Sequence, residues 1–347
     1  MPQLFHGGAE TQFRRLFENL ENCYITALSK SSNSIADEYK DKYRGRILEL
    51  NNPFENALLY QIKNYWNILK SLIIYKNKIV ENKVLIIYGA GTKWLLLYPF
   101  VRFLNYKIIY SERNDGHHRL KLLYHIMGHC DYVTTNSIEA KNVISQYLNK
   151  KIHVINNGIF IPKYNSRLYT IHNPLRILVP ARIHRLKNQI IVVEALKDVI
   201  GIEVHFAGSV DDTKYYGMIR DIILNSNCED KFLFDGFVDD MITYFANFDL
   251  VLLPSFSEGT PNVLLESMAF QIPCIASNIS MNARLIKDSR FMFAPDDIIS
   301  LQSCINNFRN LSSEEIGNVI LNNYQYVKNN YSVELMVESF RNLINTL

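Results

Sequence analysis

The stretch Leu253-Pro-Ser-Phe-Ser-Glu258-Gly-Thr-Pro-Asn-Val263-Leu-Leu-Glu266-Ser-Met-Ala-Phe-Gln-Ile-Pro273-Cys-Ile-Ala-Ser277 decides the fold. Before it runs Phe248-Asp-Leu-Val-Leu-Leu253, whose continuous apolar character reads as a parallel strand buried on both faces. A polar turn from Ser255 to Gly259 follows. Thr260 then stands as a candidate N-cap and Pro261 at the first helical position, ahead of Val263, Leu264 and Met268 at helical spacing. Gln271-Ile-Pro273 stops the helix and Cys274-Ile-Ala276 opens another strand. The unit is strand–turn–helix–strand, with a turn rich in polar groups.

Such a turn has a definite chemistry. A helix N-terminus offers backbone N–H groups and the positive end of a dipole, a place for phosphate or sugar oxygens. The Gly259, Thr260, Pro261, Asn262 and Val263 backbone forms that end. Glu258 lies in the turn, and Glu266 one to two helical turns in, where it can reach back to a diol such as a ribose. Two glutamates eight residues apart are common, so the string around them carries the weight. Pro-Ser before it, Glu-Gly-Thr-Pro-Asn within it, and Glu-Ser-Met-Ala with Ile-Pro after it closely resemble the donor-binding signature of GT-B glycosyltransferases, family 4 of that class. The chain departs from that signature at Gln271, where the family commonly has Gly, and at Met281-Asn282, where a glycine pair is usual.

Working outward, residues 176–180 read as a strand leading into Ala181-Arg182-Ile-His-Arg-Leu-Lys187-Asn-Gln189. Arg182 and Lys187 lie past a strand end, where a diphosphate needs countercharge; Arg offers a planar fork and Lys a point charge. The segment is similar to the family's Arg…Lys-Asn-Gln. Residues 202–207 read as a strand closed by Gly208, and residues 231–234 as another. Arg182, Lys187, Glu258 and Glu266 thus fall at carboxyl ends of strands or at helix starts of one sheet, where open α/β sheets bind ligands.

The first half is also a strand–helix array. Gly7-Gly8 opens a helix carrying Phe13, Leu16, Phe17 and Leu20 on one face. Strands read at 23–28, 43–50, 83–88, 107–110, 131–136 and 151–155, and helices at 55–76, 94–104 and 137–148. Six residues before the glycines leave little room for the strand that the resemblance puts there. The expectation is a polypeptide beginning upstream of Met1, or a strand remnant at Pro2–His6. The strand at 107–110 delivers Arg113, Asn114 and, a little later, His117 to its carboxyl end. His117, His118, His125 and His129 form no zinc pattern with carboxylates or cysteines. Asp211-Asp212, Asp239-Asp240 and Asp296-Asp297 read as turns or caps. Asn156-Asn-Gly158 resembles the segment that closes the first domain in the family, and residues 162–174 read as a linker.

The chain has 347 residues, 48% hydrophobic and 20% charged, enough for two domains. Its five cysteines show no C-x-x-C pair and fit reduced thiols. No secretory leader and no apolar window of membrane-span length is read. The net charge of +3 hides an asymmetry: residues 1–170 hold 23 Lys and Arg against 13 Asp and Glu, and residues 171–347 hold 14 against 21. A basic first half faces something anionic.

The resemblance therefore implies an α/β protein of GT-B type, with two Rossmann-like doubly wound domains facing across a cleft and the first strand of the N-terminal domain short or missing. Residues 1–161 would bind the acceptor, 175–330 the nucleotide-sugar, and 331–347 would form a helix crossing back to the first domain. It implies a retaining, cytoplasmic glycosyltransferase, using a UDP-linked donor without metal or other cofactor. The acceptor would be a saccharide or a lipid-pyrophosphate-linked saccharide, with peripheral contact at the inner membrane face and no nucleic acid. Glu258, Arg182 and Lys187 carry the chemistry; Glu266, residues 259–263 and Gly208 bind the donor; Gly7, Gly8, Arg113, Asn114 and His117 serve the acceptor side. The alternatives are a nucleotide-sugar epimerase or hydrolase on the same fold, and a non-catalytic partner protein.

Overall fold

The computed structural model describes residues 8–21, 23–29, 42, 47–51, 57–78, 83–88, 97–113, 121–165, 169–238 and 240–347. The chain divides into two compact units, Met1–Gly158 with Val333–Leu347, and Ile159–Ser332.

The first unit begins at α1 (Gly8–Asn19), so the expected strand remnant at Pro2–His6 and Gly7 lie outside the described residues. Strands β1 (Ile25–Ser29) and β2 (Ile47–Asn51) pair in parallel, Ile25 opposite Ile47. After α2 (Ala57–Lys78), a parallel sheet runs in sequence order: β3 (Val84–Tyr88), β4 (Lys107–Glu112), β5 (Tyr132–Thr135) and β6 (Ile152–Val154). Among the described residues β3 is hydrogen-bonded on one side only, to β4. Ile108 and Ile109 are both within 1% of full burial, as expected of a strand covered on both faces.

Between these strands stand α3 (Tyr98–Phe103), α4 (Leu122–Gly128) and α5 (Ile138–Ser145). Ser137 caps α5 by accepting the Ala140 N–H at 3.1 Å. The last helix, α13 (Val333–Asn345; α6 to α12 lie in the second unit), closes this unit's core. Val333, Met336, Val337, Phe340 and Leu343 recur at helical spacing and pack on Leu16, Leu20, Ile109 and Ile155.

The second unit holds a six-stranded parallel sheet, β7 (Leu175–Pro180), β8 (Ile202–Ala207), β9 (Phe232–Gly236), β10 (Leu250–Leu253), β11 (Cys274–Ser277) and β12 (Met292–Phe293), in the order β12-β11-β10-β7-β8-β9. Central β10 is apolar throughout, and β7 is so apart from Arg176, because helices cover both faces; Leu178, Val179, Leu250, Val251 and Leu252 are fully buried. Those helices are α6 (Gln189–Leu196), α7 (Thr213–Asn225), α8 (Met241–Phe245), α9 (Asn262–Ala269), α10 (Ser280–Leu285), α11 (Ile298–Arg309) and α12 (Ser313–Tyr331).

Of the acidic pairs, Asp212, Asp240 and Asp297 cap α7, α8 and α11, accepting the N–H groups of Tyr215, Thr243 and Ser300. The bonds from Tyr215 and Arg185 hold the Asp212 carboxyl below the usual carboxylate range.

One expectation needs correction. The segment 162–174, read as a linker, belongs to the second unit. Tyr164, Tyr169 and Ile171 pack on its core, and the Tyr324 hydroxyl donates to the Pro162 carbonyl at 2.8 Å. Buried Asp249 then fastens the segment's end, accepting from the His172 ring at 2.7 Å and the Arg176 N–H at 2.8 Å. Gln271, standing where the family commonly has Gly, adopts φ 64°, the left-handed conformation that ends many helices. Its side chain accepts the Asn165 N–H at 3.1 Å and donates to the Lys163 carbonyl at 3.4 Å, so tethering offsets the strain.

Candidate functional site

All six strands of the second sheet are parallel, so every carboxyl end lies along one edge. The central neighbours β10, β7 and β8 bring three loops together there. Backbone hydrogen bonds tie the loops to one another. The Phe256 N–H donates to the Leu186 carbonyl at 2.9 Å, and the Ile183 N–H to the Ser209 carbonyl at 2.8 Å. Gly208 allows the second approach: a Cβ there would stand 2.3 Å from the Ala181 carbonyl oxygen, well inside van der Waals contact. Its glycine requirement is therefore met within the protein, by a neighbouring backbone.

Lys187 ends a 3-10 turn, Arg185–Lys187, and Asn188 follows in the left-handed conformation to start α6. This turn aims Lys187 at the β10 loop, where its Nζ lies 2.6 Å from Glu258 Oε1. The same oxygen accepts the Ser255 hydroxyl at 2.6 Å. The pair is largely covered, with side chains 21% and 10% exposed. Behind it runs a buried chain of polar groups. Ser277 Oγ donates to the Ser255 carbonyl, and Asn282 Nδ2 donates to the Ser277 carbonyl and Oγ at 3.0 and 3.2 Å. Asn282 is wholly buried, and its Oδ1 has no hydrogen-bond partner.

Arg182 is paired with Asp211, which also accepts the Ser209 hydroxyl at 3.0 Å. With 62% of its side chain exposed, Arg182 presents a fork-shaped donor set at the edge. Gln189 Nε2 fixes its backbone through the Arg182 carbonyl at 2.8 Å. Each cation thus has a protein carboxylate beside it, and an incoming diphosphate would exchange with or add to those partners.

Helix α9 begins differently from the expectation. Pro261 occupies the N-cap and Asn262 the first helical position, while the buried Thr260 Oγ1 has no partner. The Thr260 side chain does not cap because Pro261 itself, with ψ 81°, forms the half-helical boundary. Of the backbone donors expected from Gly259 to Val263, Pro261 has no N–H and that of Asn262 goes to the Thr260 carbonyl at 2.9 Å. Gly259, Thr260 and Val263 remain as the donors such a ligand could use. Gly259 is exposed, with open space where a Cβ would stand. Glu266 is half-buried on the α9 face shared with Asn262 one turn earlier.

The first-half candidates fare otherwise. Arg113 is buried inside its own unit, not presented at a strand end. Its Nη1 donates to the Ile155 carbonyl and Asn157 Oδ1 at 3.3 and 3.2 Å, and its guanidinium lies 5.8 Å from the Phe340 ring centre. Gly8 is the first residue of α1, and Gly7, Asn114 and His117 lie outside the described residues. His125 and His129 face each other at 3.4 Å; no group of three or more metal-ligating side chains occurs among the described residues. Sequence reading missed Asp211, Ser255, Ser277 and Asn282, because polarity alone did not set them apart from other loop residues.

Residues 164–323, nearly all of this second unit, match the family Glycosyl transferases group 1. The match takes in one continuous stretch, a little under half of the chain. Curated relatives include Staphylococcus aureus protein CapJ, 25% identical over 51% of this chain and 48% of its own length. An Escherichia coli relative, UDP-Gal:alpha-D-GlcNAc-diphosphoundecaprenol alpha-1,3-galactosyltransferase, is 27% identical over 52% and 46%. The chain thus spans about half the length of the curated relatives it matches. Among solved structures, a glycosyltransferase of Rickettsia africae superposes with a TM-score of 0.80, at 18% identity over 100% of this chain and 96% of that one. Anabaena HepE, crystallised with UDP and glucose, gives 0.77 at 16% identity over 100% and 98%. The matched stretch therefore stands in a chain whose fold is GT-B, α/β with two parallel-sheet units.

Proposed function

We propose that the protein is a retaining glycosyltransferase. It moves a sugar from a UDP-linked donor to a saccharide or lipid-linked saccharide, in surface polysaccharide assembly at the inner face of the membrane. The observation that carries this reading is the Lys187–Glu258–Ser255 cluster beside Arg182, at the carboxyl edge of the sheet and next to the start of α9. The names of the relatives support the donor and acceptor classes: a UDP-galactose transferase acting on a diphosphoundecaprenol-linked sugar, and a glycosyltransferase of amylovoran biosynthesis in Erwinia amylovora.

In this reading the bond from the anomeric carbon to the diphosphate oxygen breaks and its electron pair stays on the diphosphate. Arg182 and Lys187 stabilise that growing charge, Arg182 through its fork and Lys187 as a point charge with little water around it. Glu258 orients Lys187 and accepts from the sugar hydroxyls, Glu266 accepts from the ribose, and the N–H groups of Gly259, Thr260 and Val263 add fixed dipoles. Retention follows when the acceptor hydroxyl oxygen bonds to the anomeric carbon on the face the diphosphate leaves and passes its proton to the departing diphosphate oxygen, without a protein nucleophile. No cofactor is needed for these steps.

Thermal unfolding with UDP, GDP and ADP tests the reading. A nucleotide at a hundredfold its dissociation constant stabilises the folded state by about 2.7 kcal/mol. UDP alone should give a shift, lost in Arg182→Ala and Glu266→Ala, and UDP-sugars should then be consumed only when acceptor is supplied. Consumption without acceptor would point to an epimerase or hydrolase, and no shift with any nucleotide would overturn the assignment.

A further inference from the structure

Helix α2 has two unlike sides. Asn64, Asn67, Ser71, Leu72 and Tyr75 are buried against the first unit. On the other side Ile62, Trp66, Lys70, Ile73 and Asn77 are exposed, at successive spacings of four, four, three and four, a single helical stripe. Trp66 is 66% exposed, Ile62 52% and Ile73 47%. An outward helix face in water is ordinarily polar, with charges of both signs. This one carries a tryptophan and two isoleucines, and every ionised side chain of α2 is a lysine: Lys63, Lys70, Lys76 and Lys78, with no carboxylate. Lys63, Trp66, Asn67, Lys70, Ile73 and Ile74 line an open depression of about 330 Å³, more apolar than polar in its surface.

We propose that this face of α2 rests on an anionic lipid surface. Tryptophan places its apolar ring among the acyl chains and its N–H among the headgroups. Isoleucines one and two turns away enter the same layer, and lysine stems lie along apolar material while their ammonium groups reach the phosphates. The absence of any carboxylate from the helix removes the repulsion an anionic surface would otherwise exert, and it belongs to a half of the chain with 23 Lys and Arg against 13 Asp and Glu. An acidic protein would satisfy the lysines but would need its own apolar surface for the Ile62–Trp66–Ile73 stripe; a membrane supplies both at once. The inference deepens the lipid-linked acceptor reading and rests on it only for its purpose.

The test uses the full chain and vesicles of phosphatidylglycerol and phosphatidylcholine in equal parts, with phosphatidylcholine vesicles as the control. The protein should sediment with the anionic vesicles only and be released by about 0.5 M salt, where screening shortens to a few ångströms. Lys63→Glu with Lys70→Glu should lower the partition coefficient by at least about tenfold, since each lysine near such a surface contributes several-fold. Trp66→Ser should lower it comparably. In a Trp94→Phe background, the emission of Trp66 should shift to the blue on binding. Trp66 and Lys70 are exposed and Lys63 half-buried, so unchanged thermal unfolding will confirm that the variants fold. Absent binding to anionic vesicles, binding untouched by these substitutions, or a vesicle-free dimer lost in Trp66→Ser would each overturn the proposal. Sugar transfer to a soluble acceptor, measured on the same variants and expected to be unchanged, reads the donor chemistry separately.

Discussion

Breaking the Lys187–Glu258 pair should cost both stability and rate, in amounts set by its burial. Lys187→Met keeps most of the aliphatic stem but leaves the Glu258 carboxylate, nine-tenths covered, with only the Ser255 hydroxyl among the bonds described for it. A hydrogen bond to a charged group is worth about 1.5–3 kcal/mol, and stranding a fully buried ion costs about 3–5 kcal/mol. Because about a fifth of Lys187 still meets water, the lower range applies, and Lys187→Met should lose about 2 kcal/mol in the unfolding of the second unit. Glu258→Gln keeps an acceptor for Ser255 and lets Lys187 turn to solvent, a loss of about 1 kcal/mol. The double variant removes both charges together, so it should fall short of the sum by about 1 kcal/mol, the coupling of the pair. Urea unfolding of the four proteins measures it, and the coupling should survive about 0.5 M salt because the pair is poorly screened. Transfer rate in Lys187→Met should drop by about two orders of magnitude as the diphosphate loses its countercharge. A coupling under about 0.3 kcal/mol, within the additivity error of independent sites, would refute the structural reasoning. A rate within twofold of wild type would refute the catalytic part.

Gly208→Ala forces a Cβ to 2.3 Å from the Ala181 carbonyl oxygen, so it should destabilise the second unit by about 3 kcal/mol and abolish nucleotide binding; a loss under about 0.5 kcal/mol in urea unfolding would show that the loops separate freely. Asn282→Ala removes both bonds to Ser277 and should cost about 1–3 kcal/mol, with kcat falling about tenfold and KM little changed as Glu258 loosens; equal effects on both would argue for direct contact with donor instead. Burial pushes the thiols of Cys130 and Cys274 up to about 12, so a thiol reagent at pH 8 should label half-buried Cys23 first in the native protein and reach these two only on unfolding; fast native labelling of Cys274 would contradict its burial.

Strands β7 to β11 of the second unit were legible because each is a short, mostly apolar run bounded by turn residues, as Phe248–Leu253 shows; β12, two residues long, carries too little pattern to be read. The site residues were legible because they follow those runs directly. Their partners were not. Asp211 meets Arg182 from 29 positions away, and Asn282, five residues past Ser277 in α10, turns back onto it; hydrophobic period carries no information on such pairings. Residues 162–174 failed for a related reason. Tyr164, Tyr169 and Ile171 pack individually, without a repeat, so the segment reads as irregular although these residues and His172 are fastened to the second unit. The helix boundary at Pro261 misled because Thr260 is the better capping residue by type, and only the backbone angle shows that its hydroxyl is not used.

Helix α13 has a consequence for synthesis on the ribosome. The second unit is one continuous stretch, Ile159–Ser332, whereas the first takes Val333–Leu347 into its core. During translation the usual order, amino-terminal domain first, is therefore inverted. Residues 159–332 can complete their sheet while Leu16, Leu20, Ile109 and Ile155 still wait for Met336 and Phe340. The earlier-made unit spends that interval with its apolar seam uncovered, open to chaperone binding, and closes only once Val333–Leu347 have left the exit tunnel.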